Sequence, residues 1–199
     1  MGCKMPSNVI QKLNEICNPA IFHSVKRNQD VLILECNETD QSAALKKVEI
    51  IGFNELSSFK LDKLKFSDSL LNRGHKGRKA CDAIIFCTVD DEAFILIFDM
   101  KSSSPVNDDH IYQLRSGMLG SKYILDVLQE FEGVQSSVKW NYRYFIFHCK
   151  NNRRETLPEY QVEINKNTSP GKPHIFETNN SDVIPIRKLL GRPLIKRLS

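Results

Sequence analysis

No apolar run in this 199-residue chain approaches the roughly 20 residues that a membrane helix needs. The longest candidate, 93–98 (AFILIF), has the length of a buried strand. No CxxC pair occurs among the six cysteines, at 3, 17, 36, 81, 87 and 149, which argues against a structural zinc site. Several of them lie in apolar strand-like runs, so buried free thiols in a reducing cytosol are expected. The leading MGCKMPSNVI has no apolar segment of the kind that marks a secretory signal. Gly2-Cys3 suggests myristoylation, but Pro6 stands where that motif wants Ser or Thr. There is no internal repeat and no low-complexity tract. An excess of one charge is also missing: 28 Lys and Arg against 24 Asp and Glu leave +4, which leans toward a nucleic-acid partner without identifying one.

What is present is an ordinary globular composition, 41% apolar and 26% charged, long enough for one core without staples. Residues 7–17 carry a helical apolar stripe. Residues 31–36 and 47–53 read as strands, with a helical turn expected in 38–47. The segment 53–66 fits helix or strand, and 72–79 (NRGHKGRK) is a basic loop broken by glycine. Two apolar strands, 81–89 and 93–101, flank a turn at Asp90-Asp91. A long helix over 110–133 ends at Gly133, and a strand at 139–150 follows. Short strands are expected at 160–164 and 174–176. The predicted fold class is α/β or α+β, a mixed central sheet flanked by helices, in one domain spanning 1–199. Its core is placed at about 47–150, with an N-terminal extension 1–46 and a C-terminal decoration 151–199.

Asp82 and Asp99 stand apart from the other acids, each at one end of an apolar strand of the predicted hairpin. If the turn centres between Asp90 and Asp91, facing residues have numbers totalling 181, and Asp82 then faces Asp99. Opposed side chains on an antiparallel pair have Cβ atoms about 4.5–5.5 Å apart. Two carboxylates that close repel unless a cation lies between them, and divalent magnesium or manganese takes oxygen ligands of this kind. Lys101, two residues beyond Asp99, shares its face. Two acids and an ammonium around one divalent ion can hydrolyse a phosphodiester, the ammonium stabilising negative charge in the transition state. A strand-end Asp paired with a nearby Lys is the simpler structural reading of the same residues.

GRKACDAIIF, then EAFILIFDMKSS, then a helix containing IYQLRSG, together resemble the PD-(D/E)XK nuclease superfamily over roughly residues 78–148. The resemblance implies a restriction-endonuclease-like core in which Asp82 is the first acid, Asp99 the second and Lys101 the lysine. Two departures are visible. Cys81 stands where the superfamily often has Pro, and Asp99 where Glu is commoner. The resemblance also implies a further metal-binding Glu from an upstream helix, for which Glu55 is the candidate, with Glu15 and Glu49 as alternatives. It implies for Gln113, which opens the helix after the lysine strand, a role in orienting active-site groups or contacting the nucleic-acid backbone.

Arg73, His75, Lys76, Arg78 and Lys79 lead directly into Asp82 and are candidates for phosphate contacts. Lys150, Arg153 and Arg154 would extend that surface. Trp140, Tyr142 and Tyr144 fit base stacking or sheet packing, and His148 reads as a half-buried strand histidine. The expected activity is that of a Mg2+- or Mn2+-dependent nuclease, an endonuclease on DNA ahead of RNA. The expected location is cytoplasmic, off the membrane, with a homodimer or a partner protein as further candidates. The competing class is a catalytically inactive nuclease-fold subunit that binds nucleic acid or protein. A cysteine hydrolase is disfavoured because apolar strands suppress thiol ionisation.

Overall fold

The hairpin at the centre of the molecule follows the register that its turn dictates. In the computed structural model, which describes residues 6–29, 31–38, 40–61, 71–103, 108–134, 138–149 and 168–193, strand β5 (Ala83–Val89) pairs antiparallel with β6 (Glu92–Lys101). Ala83 faces Phe98 and Val89 faces Glu92. Asp90 and Asp91 both have positive φ, 49° and 63°. That is the backbone of a two-residue type I′ turn, which aspartate tolerates and which locks register without a slip.

Around this hairpin the chain builds two sheets. The larger has the order β4-β5-β6-β7-β8, with β4 (Glu55–Phe59) antiparallel to β5, and β7 (Asn141–Cys149) and β8 (His174–Thr178) parallel beyond β6. The smaller has the order β1 (Ser24–Asn28), β2 (Val31–Asn37), β3 (Lys47–Phe53) and β9 (Val183–Pro185). The segments flanking 47–150 therefore supply strands to both sheets. The segment 38–47 holds turns and no helix among its described residues. Asp40 accepts the Ser42 N–H at 2.8 Å, and Asn180 clamps Lys46, Lys47 and Ala44 backbone groups, so local side-chain bonds outcompete the helical turn expected there. The predicted strand at 160–164 and the residues Lys150, Arg153, Arg154 and Cys3 lie outside the described residues.

Both faces of the hairpin are covered, which is why β5 and β6 read as almost continuous apolar runs. Ile84, Phe86, Ile95 and Ile97 pack under α1 (Pro6–Ile16) and α2 (Asp109–Glu132). Ile85, Cys87, Leu96 and Phe98 meet the smaller sheet and the short helix α3 (Ile186–Leu189). Arg187 and Arg192 anchor that C-terminal helix to the hairpin turn through the Asp90 carboxylate, at 2.5 and 2.8 Å. Helix α2 is the crossover between the parallel strands β6 and β7, and Gly133 ends it in the left-handed conformation at φ 62°.

The buried face of α2 is built from small residues, Gly117, Gly120 and Ser121, between Leu114 and Leu128. A Cβ at 117 would lie 2.5 Å from Ile97 Cγ2 and 2.7 Å from Cys81 Sγ. Only glycine lets the helix backbone come this close to the sheet, and the approach brings the first turns of α2 over the end of β6. No helix of the described residues is long and apolar enough to cross a membrane.

Candidate functional site

Four of the side chains singled out from the sequence meet at one end of the large sheet. The Asp82 N–H donates to Phe98 O at 3.1 Å, extending the β5–β6 ladder by one residue. Asp82 Oδ2 then accepts the Met100 N–H at 2.5 Å, holding the carboxylate against the end of β6. Strand alternation puts Asp99 on the same face as Ile95 and Ile97, beneath α2. The Asp82 and Asp99 carboxyl groups are close enough to perturb each other's ionisation. Lys101 Nζ lies 2.5 Å from Asp99 Oδ2 and donates to Gln113 Oε1 at 2.8 Å. Asp99 is 1% exposed and the Lys101 side chain 30%, so the carboxylates form the floor and the ammonium stands toward solvent.

The electrostatics of the pair follow from its burial. Burial lifts both carboxyl groups above their ordinary range, and the Asp99 charge is the next largest cause at Asp82. Lys101 counteracts the rise at Asp99. Glu38 adds a further negative field at Asp82, and His110 a compensating one at Asp99. A cation between the two carboxylates would oppose the same rise. The thiols of Cys36, Cys81 and Cys87 are pushed up by burial, and no described cysteine is in a disulfide.

The basic loop reaches the rim of this site through α2. Lys76 donates to Tyr112 Oη at 2.7 Å and sits 4.4 Å from that ring's centre. Lys79 pairs with Asp109 at 3.4 Å. Arg78 braces the loop against Leu71 O at 3.4 Å, and the His75 ring accepts the Gly77 N–H. Arg73, His75, Lys76 and Lys79 are exposed.

Glu55 does not join the site. It lies on a strand rather than a helix, and β4 places it opposite Thr88, six residues along β5 from Asp82, about 20 Å of extended chain. Glu15 lines the same distant cleft as Glu55, and Glu49 pairs with Lys47 at 3.4 Å on β3. Among the described residues no three His, Cys, Asp or Glu side chains are grouped to hold a metal ion. The aromatic residues pack instead of presenting stacking faces. Trp140 meets Phe86 edge-on at 5.5 Å, and Tyr142 stacks on Tyr144 within the helix-side core. His148 is 9% exposed, with Nδ1 3.2 Å from Cys149 O.

Three groups near the pair were missed from the sequence: His23, whose Nε2 lies 3.0 Å from Asp82 O, His110 and Glu38. His110 sits one helical turn before Gln113, and that spacing was a usable signal. Glu38 comes from the other sheet, whose β2–β3 connection is tied to the end of β6 by the Ala44 N–H donating to Ser102 Oγ at 3.0 Å. No sequence spacing reveals that contact. Compared with known proteins, the chain matches no family model, no curated protein and no solved structure.

Proposed function

We propose that the chain is a metal-dependent nuclease of the PD-(D/E)XK type that hydrolyses phosphodiester bonds, with DNA as the expected substrate. The observation that carries this reading is the convergence of Asp82, Asp99, Lys101 and Gln113 from two strand ends and a helix, with Lys101 bonded to both Asp99 and Gln113 and Asp82 held to the Met100 N–H. A buried pair of neighbouring carboxylates is an unfavourable arrangement that a divalent cation relieves. Magnesium is commonly held by one or two carboxylates, with water and substrate phosphate oxygens in the remaining positions, so Asp82 and Asp99 fit it as the protein ligands. Such an ion supplies Lewis acidity and neutralises phosphate charge.

The protein's own residues account for the rest. Asp82 and Asp99 would hold such a cation, and any proton on the pair would leave as it bound. The Lys101 ammonium, steered by Gln113, is freed from Asp99 and faces the phosphate, where its charge counts most as negative charge builds in the transition state. The exposed cations of 73–79 hold the nucleic-acid backbone without reading sequence. Attack of water on phosphorus breaks one P–O ester bond and leaves a phosphate monoester and a free hydroxyl.

One observation favours a second reading. With two carboxylates in the cluster and Lys101 already neutralising one, the same site serves an inactive nuclease-fold subunit that binds nucleic acid. Incubating the purified chain with plasmid, linear duplex, single strands and RNA, with manganese and with chelator, separates the two. Manganese-dependent cleavage supports the enzyme. Binding without cleavage supports the inactive subunit.

A further inference from the structure

A cleft of about 720 Å³ opens along β4, where this edge strand meets α1 and β1. Its volume falls within the range of about 300–1,000 Å³ typical of small-molecule sites. Ser57 and Ser58 line it, 1% and 2% exposed, and neither hydroxyl has a hydrogen-bond partner among the described residues. Glu55 lines it too, with Oε2 buried and also without a partner. Buried polar groups are paired in roughly nine cases in ten or more, so the unpartnered Glu55 Oε2 and Ser57 Oγ, which strand alternation puts on one face, mark a place built to meet a ligand. The walls mix apolar Ile10, Phe22 and Leu56 with polar Gln11, Asn14 and His23.

We propose that this cleft binds a small organic ammonium compound with an apolar body. The carboxylate of Glu55 takes the ammonium, since an unpaired buried carboxylate oxygen calls for a charged N–H donor. The Ser57 hydroxyl, on the same face of the strand, accepts or donates a further hydrogen bond, and the apolar body lies against Ile10 and Phe22. Arg27, on the exposed strand β1, belongs to the rim and does not neutralise the floor. This reading does not depend on the nuclease proposal, because Glu55 lies opposite Thr88, six residues along β5 from Asp82, and the link between the two places is His23, which lines the cleft and whose Nε2 lies 3.0 Å from Asp82 O.

The test uses phenethylamine as the probe and 2-phenylethanol, its neutral counterpart, as the control, titrated calorimetrically into the full chain. The proposal expects the amine to bind at least tenfold tighter than the alcohol, and Glu55→Gln to remove that preference. Asp82→Asn should leave amine affinity unchanged, which keeps this test separate from the nuclease reading. Equal affinity for amine and alcohol in the native chain, no binding of the amine at millimolar concentration, or an unchanged preference in Glu55→Gln overturns it. The amine–alcohol comparison in the native chain decides the matter even if the variant fails to fold.

Discussion

Gly117→Ala places one methyl group between α2 and the sheet, and its consequences follow from two distances. The new Cβ would lie 2.5 Å from Ile97 Cγ2 and 2.7 Å from Cys81 Sγ, both on fully buried side chains. Comfortable carbon contacts are about 3.5–4.0 Å, so the helix must lift by about 1 Å. Overpacking of this kind costs about 1–3 kcal/mol, and alanine's better helix propensity returns about 1 kcal/mol. A net loss of about 1 kcal/mol lowers the melting temperature by about 2–4 °C in a chain of this size. The same displacement stretches the 2.8 Å Lys101–Gln113 bond past hydrogen-bonding range. Gly133→Ala is the matched control. It forces a residue at φ 62°, with no atom within 4 Å of the new Cβ, and costs about 1–2 kcal/mol at the far end of the helix. Urea unfolding and manganese-dependent single-turnover cleavage should show both variants destabilised, but only Gly117→Ala slowed, at least tenfold. A Gly117→Ala protein as stable and as active as the native one would refute the argument that close helix approach seats Gln113.

Asp82→Asn should abolish cleavage and raise stability in chelator at neutral pH. A carboxyl group whose folded value is raised adds stability that is complete below its unfolded value, about 4, and is lost as pH rises through the folded value. The stability advantage of Asp82→Asn should therefore grow with pH in thermal melts, and an advantage that shrinks contradicts a raised Asp82 carboxyl value. Lys101→Ala should keep manganese affinity within a few-fold while depressing turnover at least a hundredfold, and Lys101→Arg should not restore it, because a planar guanidinium places its donors differently. Asp90→Asn should cost about 1 kcal/mol by releasing Arg187 and Arg192 from a carboxylate that is 40% exposed, and high salt should shrink the difference in urea midpoints.

Period and turn chemistry made the central hairpin legible. The alternation of 93–101 and an Asp-Asp turn fixed the pairing of Ala83 with Phe98, and with it the meeting of Asp82, Asp99 and Lys101. Helix α2 was legible at its ends, from Gly133 and the polar run before Asp109, but less so on its buried face. Leu114 and Leu128 are buried as their spacing predicts, but Ile111, Met118 and Leu125 are only partly buried, and Gly117, Gly120 and Ser121 make up the rest of the contact. Small residues carry no hydrophobic signal, so a close helix–sheet approach leaves little trace in a periodicity. Glu55 failed for another reason. Its distance from Asp82 depends on which residues β4 and β5 pair, and no turn dipeptide joins those two strands to reveal it. Glu38 reaches the site only through the packing of one sheet on the other, which is invisible until both sheets exist.

The most direct measurement of the central claim is manganese binding by calorimetry, run beside plasmid cleavage, on the native chain and on Asp82→Asn and Asp99→Asn. The account predicts that the native chain binds manganese with release of a proton and cleaves only when the metal is present. Each variant should lose both binding and cleavage while keeping its fold. Manganese binding undiminished in both variants, or cleavage that persists in them, would contradict the assignment of Asp82 and Asp99 as the metal ligands of a nuclease.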